Sequence, residues 1–128
     1  MPTRGAIRRH AGRIRTVEMR QDLEVLFMDP APGHTPGQVS FRLTSQNQTM
    51  LIWGDIAHRM TIQRALPHWR VGVDVDPTMG VGSWVRTLTM LEREGILIGG
   101  VHVPWPGFGR VIRDGEGFLY VPRPQQFT

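Results

Sequence analysis

The hexapeptide Pro32-Gly33-His34-Thr35-Pro36-Gly37 constrains this chain more than any other stretch. It sets a histidine in a rigid turn between two apolar runs, residues 23–28 and 39–43. Proline fixes its own φ and drives the residue before it towards extended geometry, while glycine supplies backbone conformations closed to other residues. Four of the six residues therefore hold the backbone, and His34 carries the chemistry. The design recurs twice, where an apolar strand-like run ends in a polar group. Met50-Leu51-Ile52-Trp53-Gly54-Asp55 closes on a carboxylate, and Ile96-Leu97-Ile98-Gly99-Gly100-Val101-His102 closes on an imidazole.

Catalytic and metal-binding groups commonly sit on loops at strand ends, where the sheet fixes their position and solvent still reaches them. His34, Asp55 and His102 all fit that description. A carboxylate beside an apolar run is expensive unless it is paired or metal-bound. The competing readings are structural: Asp55 as a cap accepting N–H bonds from a following helix, His34 as a hydrogen-bonded turn residue, and His102 as a satisfied buried histidine.

The order of elements is mixed α/β. Residues 5–13 are expected to form a short basic helix and 13–18 a brief strand. Residues 23–28, 38–44 and 49–53 read as strands, the last one buried, with Ser45-Gln46-Asn47-Gln48 as a hairpin loop. Residues 56–66 have helical character and 71–75 look extended, ended by Asp76-Pro77. The longest helix is expected over 78–94, where Val81, Trp84, Val85, Leu88 and Leu91 recur at three- and four-residue spacing on one face. Gly95 is a natural stop. Residues 96–101 read as a second buried strand, Pro104-Trp105-Pro106-Gly107 as a loop, and 109–113 with 117–121 as a closing hairpin around Asp114-Gly115. No internal repeat or linker interrupts the 128 residues, which suits one domain with a loose basic N-terminus over 1–12.

Composition narrows the chemistry. The chain has no cysteine, so any metal must bind through imidazole and carboxylate. All 15 basic residues are arginine against 11 acids, for a net charge of +4. Arg4, Arg8, Arg9, Arg13 and Arg15 cluster near the start, yet no aromatic residue interleaves with them, so a solvated helix is a better reading than a nucleic-acid surface. No run approaches a membrane span and no apolar leader precedes the arginines, which makes the cytoplasm the default location.

Taken together, Gly33-His34-Thr35-Pro36-Gly37, Trp53-Gly54-Asp55 after an apolar strand, Val73-Asp74-Val75-Asp76-Pro77, and the segment from His102 through Pro104-Trp105-Pro106-Gly107-Phe108-Gly109-Arg110-Val111 resemble the second half of the metallo-β-lactamase superfamily. The likeness is greatest to its lactonase-like and organophosphate-hydrolase-like members and covers roughly residues 12–122. It implies half of an αββα sandwich: one mixed, mainly antiparallel sheet covered by one long helix and shorter ones. It also implies a site for two divalent metals, zinc foremost, with His34 in the first metal's shell, Asp55 bridging both and acting in catalysis, and His102 in the second's. Water activated there would attack an ester, lactone or phosphoester-type small molecule. Trp105 and Phe108 are expected to form an apolar wall for substrate, against a plain core role for one of them. His58, three residues past Asp55 on a helix, is expected to line the pocket, against a surface role or a metal ligand. His68 falls in a loop that also looks substrate-facing, against a plain packing role beside Trp69.

One departure is large. The superfamily's His-x-His-x-Asp-His motif is absent, and no two histidines here are separated by two residues. Three ligands then serve two metal positions, fewer than zinc sites use. The expectation is a C-terminal half that is inactive alone and leaves an apolar sheet face uncovered. That face would pair as a homodimer or with a complementary N-terminal half. A non-catalytic remnant serving as a folded association module is the alternative, and an arginine-rich nucleic-acid binder is the weakest one.

Overall fold

A computed structural model describes residues 2–18, 22–23 and 26–124. Among these residues seven strands form one sheet in chain order: β1 (Asp22–Leu23), β2 (Leu26–Pro30), β3 (Val39–Ser45), β4 (Gln48–Ile52), β5 (Leu97–Gly99), β6 (Phe108–Asp114) and β7 (Gly117–Pro122). Every neighbouring pair is antiparallel except β4 and β5, which run parallel. A parallel pair needs a long crossover, and here it contains a short helix α2 (Met60–Gln63) and the long helix α3 (Pro77–Glu94). The N-terminal helix α1 (Pro2–Arg9) precedes the sheet, followed by a 3-10 turn at Ala11–Arg13. The architecture is the mixed, mainly antiparallel sheet with one long helix that the sequence implied.

Helix α3 forms where the pattern placed it. Asp76 caps it by accepting a bond from Met79 N at 2.9 Å, Pro77 occupies the first turn, and Gly95 ends it at φ +61°. Trp84, Leu88 and Leu91 are fully enclosed against Leu51, Ile98, Val111 and Phe118 of the sheet. Arg42 on β3 ties that face to the helix end, donating to Asp29 Oδ2 at 3.1 Å and to Glu94 Oε2 at 2.9 Å. The hairpin between β3 and β4 turns at Gln46 and Asn47, both with positive φ, as a two-residue loop requires.

Five expectations need correction. Residues 14–18 are exposed and carry no strand, so the apolar character of Ile14 and Val17 found no ladder to join. The strand expected over 23–28 is split between β1 and β2, which pair antiparallel with Leu23 opposite Leu26; residues 24 and 25 lie outside the described residues. The helix expected over 56–66 shrinks to the four residues of α2. Ala57 and Arg59 are non-helical (φ −121° and −140°), and the Gln63 side chain accepts the N–H bonds of His58 and Arg59 at 2.8 Å each. Residues 71–75 form a turn rather than a strand, although Val75 N and Asp76 N bond to His34 O and Gly33 O. Finally, β4 and β5 are not wholly buried. The register Phe41, Ile52, Gly99, Phe108 runs along the sheet face opposite α3. Ile52, Phe108, Ile112 and Val121 on that face are 37%, 41%, 46% and 42% exposed.

Candidate metal centre

Because β2, β4 and β5 all run in one direction, their C-terminal ends open at one edge of the sheet. Ile52 pairs with Gly99, so Asp55 and His102, each three residues further on, leave the parallel pair side by side. His102 Nε2 lies 3.4 Å from Asp55 Oδ1. The loop after β2 carries His34 to the same place, with Nε2 4.0 Å from Asp55 Oδ2. Three residues spread over 69 positions of the chain therefore share one small space. The three residues singled out in the sequence thus come together.

Local backbone explains how each arrives. Gly54 at φ +60° turns the chain sharply after Trp53, and a Cβ there would crowd the Gln38 side chain at 2.6 Å. Trp53 joins the two strand ends: its N–H donates to Gly99 O, and its indole Nε1 donates to Val101 O at 3.2 Å. Gly100 admits that indole, since a Cβ would stand 2.3 Å from the ring. His102 follows with φ +64°, a left-handed conformation that non-glycine residues adopt at a cost and that clusters at functional sites. The histidine turn is stapled to the start of α3. Ser83 Oγ donates to Pro32 O at 2.6 Å, and Gly33 packs on Gly80.

Of the structural alternatives, the hydrogen-bonded turn residue does describe His34, whose Nδ1 lies 3.2 Å from Asp74 Oδ1, while those for Asp55 and His102 do not describe what is seen. Asp55 accepts no cap bond; α2 has no side-chain cap, and both Asp55 oxygens face imidazoles. His102 is not a buried histidine, since its side chain is 44% exposed, as is that of Asp55.

Two further side chains complete the cluster. His58 lies between the other histidines, its ring centroid 4.7 Å from His34 and 5.6 Å from His102. It reaches this position from the non-helical segment before α2 and not from a helix face, which corrects the local reason for expecting it there. Asp74, with only 9% of its side chain exposed, sets Oδ1 3.2 Å from His34 Nδ1 and 3.1 Å from His58 Nε2. Asp74 was not among the residues expected at the site. Its signal was present in Val73-Asp74-Val75-Asp76-Pro77, where one carboxylate caps α3 and the other faces inward. The five side chains fall into two overlapping donor groups, His34 with His58 and Asp74, and Asp55 with His58 and His102, each within 4.8 Å. Three imidazoles and two carboxylates suit a divalent ion of zinc type, and a three-donor group leaves coordination positions open.

The remaining expected residues stand outside this cluster. Trp105, on the loop after His102 and joined to Pro106 by a cis peptide bond, is 82% exposed. Phe108 begins β6 and packs its ring on Gly99, on the sheet face opposite α3. His68 and Trp69 are both exposed, and His10 contacts Arg13. Among the described residues no helix is long and apolar enough to cross a membrane.

No family model and no curated protein matches the chain. Solved structures do. A hydrolase of the beta lactamase superfamily, AbOPH, superposes with a TM-score of 0.89 at 25% identity over 95% of this chain. AidC, a dizinc quorum-quenching lactonase solved with a product, gives 0.88 at 23% identity over 98%. An N-acyl homoserine lactone hydrolase with product at its catalytic metal centre gives 0.54 at 15% over 73%. The chain spans 43%, 43% and 40% of the length of those three proteins.

Proposed function

We propose, from its likeness to hydrolases of the metallo-β-lactamase superfamily, that this chain supplies one part of a divalent-metal hydrolase site. The observation that carries the reading is the convergence of Asp55 with His34 and His102 at the open edge of the sheet. In this reading His34, Asp55 and His102 are ligands, and zinc is the metal of first choice on the donor set. The chemistry a divalent metal would supply when held by these three residues is a water acidic enough to serve as hydroxide near neutral pH and polarisation of the carbonyl or phosphoryl oxygen under attack.

The chain's own residues do the rest. Asp55 presents one oxygen towards His34 and the other towards His102, the geometry of a carboxylate shared between two positions. His58 stands between the His34 and His102 rings, and Trp105, exposed on the loop after His102, is assigned as an apolar contact for a small substrate such as a lactone, ester or phosphoester. The missing donors come from a His-x-His-x-Asp-His segment, on a longer form of this chain or on a separate one. The uncovered face of the sheet, with Ile52, Phe108, Ile112 and Val121, is where that complement packs.

The absence of the motif from this sequence favours one second reading, a folded remnant that associates without turning over substrate. The two part on one experiment. Zinc titration of the chain, followed by lactone and phosphotriester hydrolysis assays with and without a co-expressed complementary half, gives saturable binding and complement-dependent turnover for the first. The remnant gives association without turnover.

A further inference from the structure

We propose that Asp74 is a positioning residue that fixes the tautomer of His34 and so aims its Nε2 lone pair at the metal site. The metal half of this inference rests on the reading above; the tautomer half does not.

The chemistry follows from which atoms meet. One oxygen of Asp74, Oδ1, lies 3.2 Å from His34 Nδ1 and 3.1 Å from His58 Nε2. An ionised carboxylate only accepts, so both protons belong to the imidazoles. A neutral imidazole with its proton on Nδ1 carries its lone pair on Nε2. In His34 that is the nitrogen facing Asp55. Ligating histidines generally donate their other ring N–H to a carboxylate or carbonyl, which sets ring orientation and raises ligand basicity.

The carboxylate is built into place. Its side chain is 9% exposed, against 44% for Asp55. A Cβ at residue 80 would stand 2.6 Å from Asp74 Oδ2, so Gly80 leaves the room that oxygen occupies. The two residues after Asp74 donate their backbone N–H groups to His34 O at 3.3 Å and Gly33 O at 3.0 Å. Imidazole and carboxylate are thus carried on two segments bonded to each other, and their separation does not depend on flexible side chains alone. A buried carboxylate without partners would be costly, and the two imidazole donors remove that cost.

The test is two-bond 1H–15N correlation NMR on the metal-free full chain, for wild type, Asp74→Ala and Asp74→Asn, with zinc titrations alongside. The expected wild-type result is His34 protonated on Nδ1. Asp74→Ala returns His34 to the mixed tautomers of a free imidazole and weakens zinc binding 10- to 100-fold at unchanged stoichiometry. Asp74→Asn, whose amide oxygen still accepts, keeps most of the Nδ1–H form. Three results overturn the assignment: a wild-type His34 protonated on Nε2, a tautomer indifferent to Asp74→Ala, or loss of a bound ion in that variant, which makes Asp74 a ligand. If Asp74→Ala does not fold, the wild-type tautomer decides. A chain with His34 locked by Asp74 that binds no zinc supports the positioning role and removes the metal reading.

Discussion

Gly33 and Gly80 meet backbone to backbone: a Cβ on Gly33 would stand 2.3 Å from both the Cα and the N of Gly80. Gly33 also has φ +143°, in a region that side chains avoid. This contact seats the histidine turn on the first turn of α3. Gly33→Ala is therefore expected to lose about 2 kcal/mol or more, because the clash is with backbone and cannot be relieved by a rotamer change. Urea unfolding measures it, and a loss below about 0.5 kcal/mol would show that the contact is not needed.

Gln63 organises the segment that delivers His58. It is 4% exposed, its side-chain oxygen accepts from His58 N and Arg59 N, and its carbonyl accepts from the Trp84 indole at 3.3 Å. Gln63→Ala strands two backbone donors and is expected to cost about 2–4 kcal/mol. The His58 resonances should shift in NMR spectra while those of Tyr120 stay in place.

Tyr120 gives the opposite sign. Its ring is buried against Gly109, and its hydroxyl has no hydrogen-bond partner among the described residues. Burial raises its pKa above the usual value near 10. A raised folded pKa means that this group's contribution is fully present below about pH 10 and is lost as pH rises through the folded value. Tyr120→Phe should be as stable as wild type or up to about 1 kcal/mol more stable at pH 7. It should also lose less stability between pH 9 and pH 11, as read by urea midpoints. A clear loss at pH 7 would indicate a partner for the hydroxyl.

The partly exposed apolar residues on the sheet face opposite α3 predict association. Ile52, Phe108 and Ile112 lie on it by register. In the absence of a complementary half, sedimentation velocity of the chain should show self-association at micromolar concentration, and Ile52→Asp with Ile112→Asp should reduce it. A wild-type monomer under the same conditions would mean that this face does not drive association.

Much of this was legible in the residues. The period of Trp84, Leu88 and Leu91, with Asp76 and Gly95 at the ends, specified α3 because a capped amphipathic helix is a local object. The Gly-Asp and apolar-His strand ends placed Asp55 and His102 just beyond the parallel pair, because strand ends face loops. What was not legible depended on contacts distant in sequence. The run after Asp55 has helical composition, yet Gln63 takes its first N–H bonds and leaves His58 on a bend outside any helix. Asp74 looked like part of a strand, and only the docking of residues 33 and 34 on 74–76 makes it the partner of two imidazoles. The buried appearance of 49–53 came from apolar composition, which does not say whether the second face of a sheet is covered.

The central claim is that His34, Asp55 and His102 form a metal-binding half-site. Its most direct test is zinc binding by the purified chain, measured by isothermal titration and by metal analysis after gel filtration, for wild type and His102→Ala. The account predicts saturable binding near one ion per chain in wild type and at least tenfold weaker binding in His102→Ala. No saturable binding in wild type, or binding unchanged by His102→Ala, would contradict it.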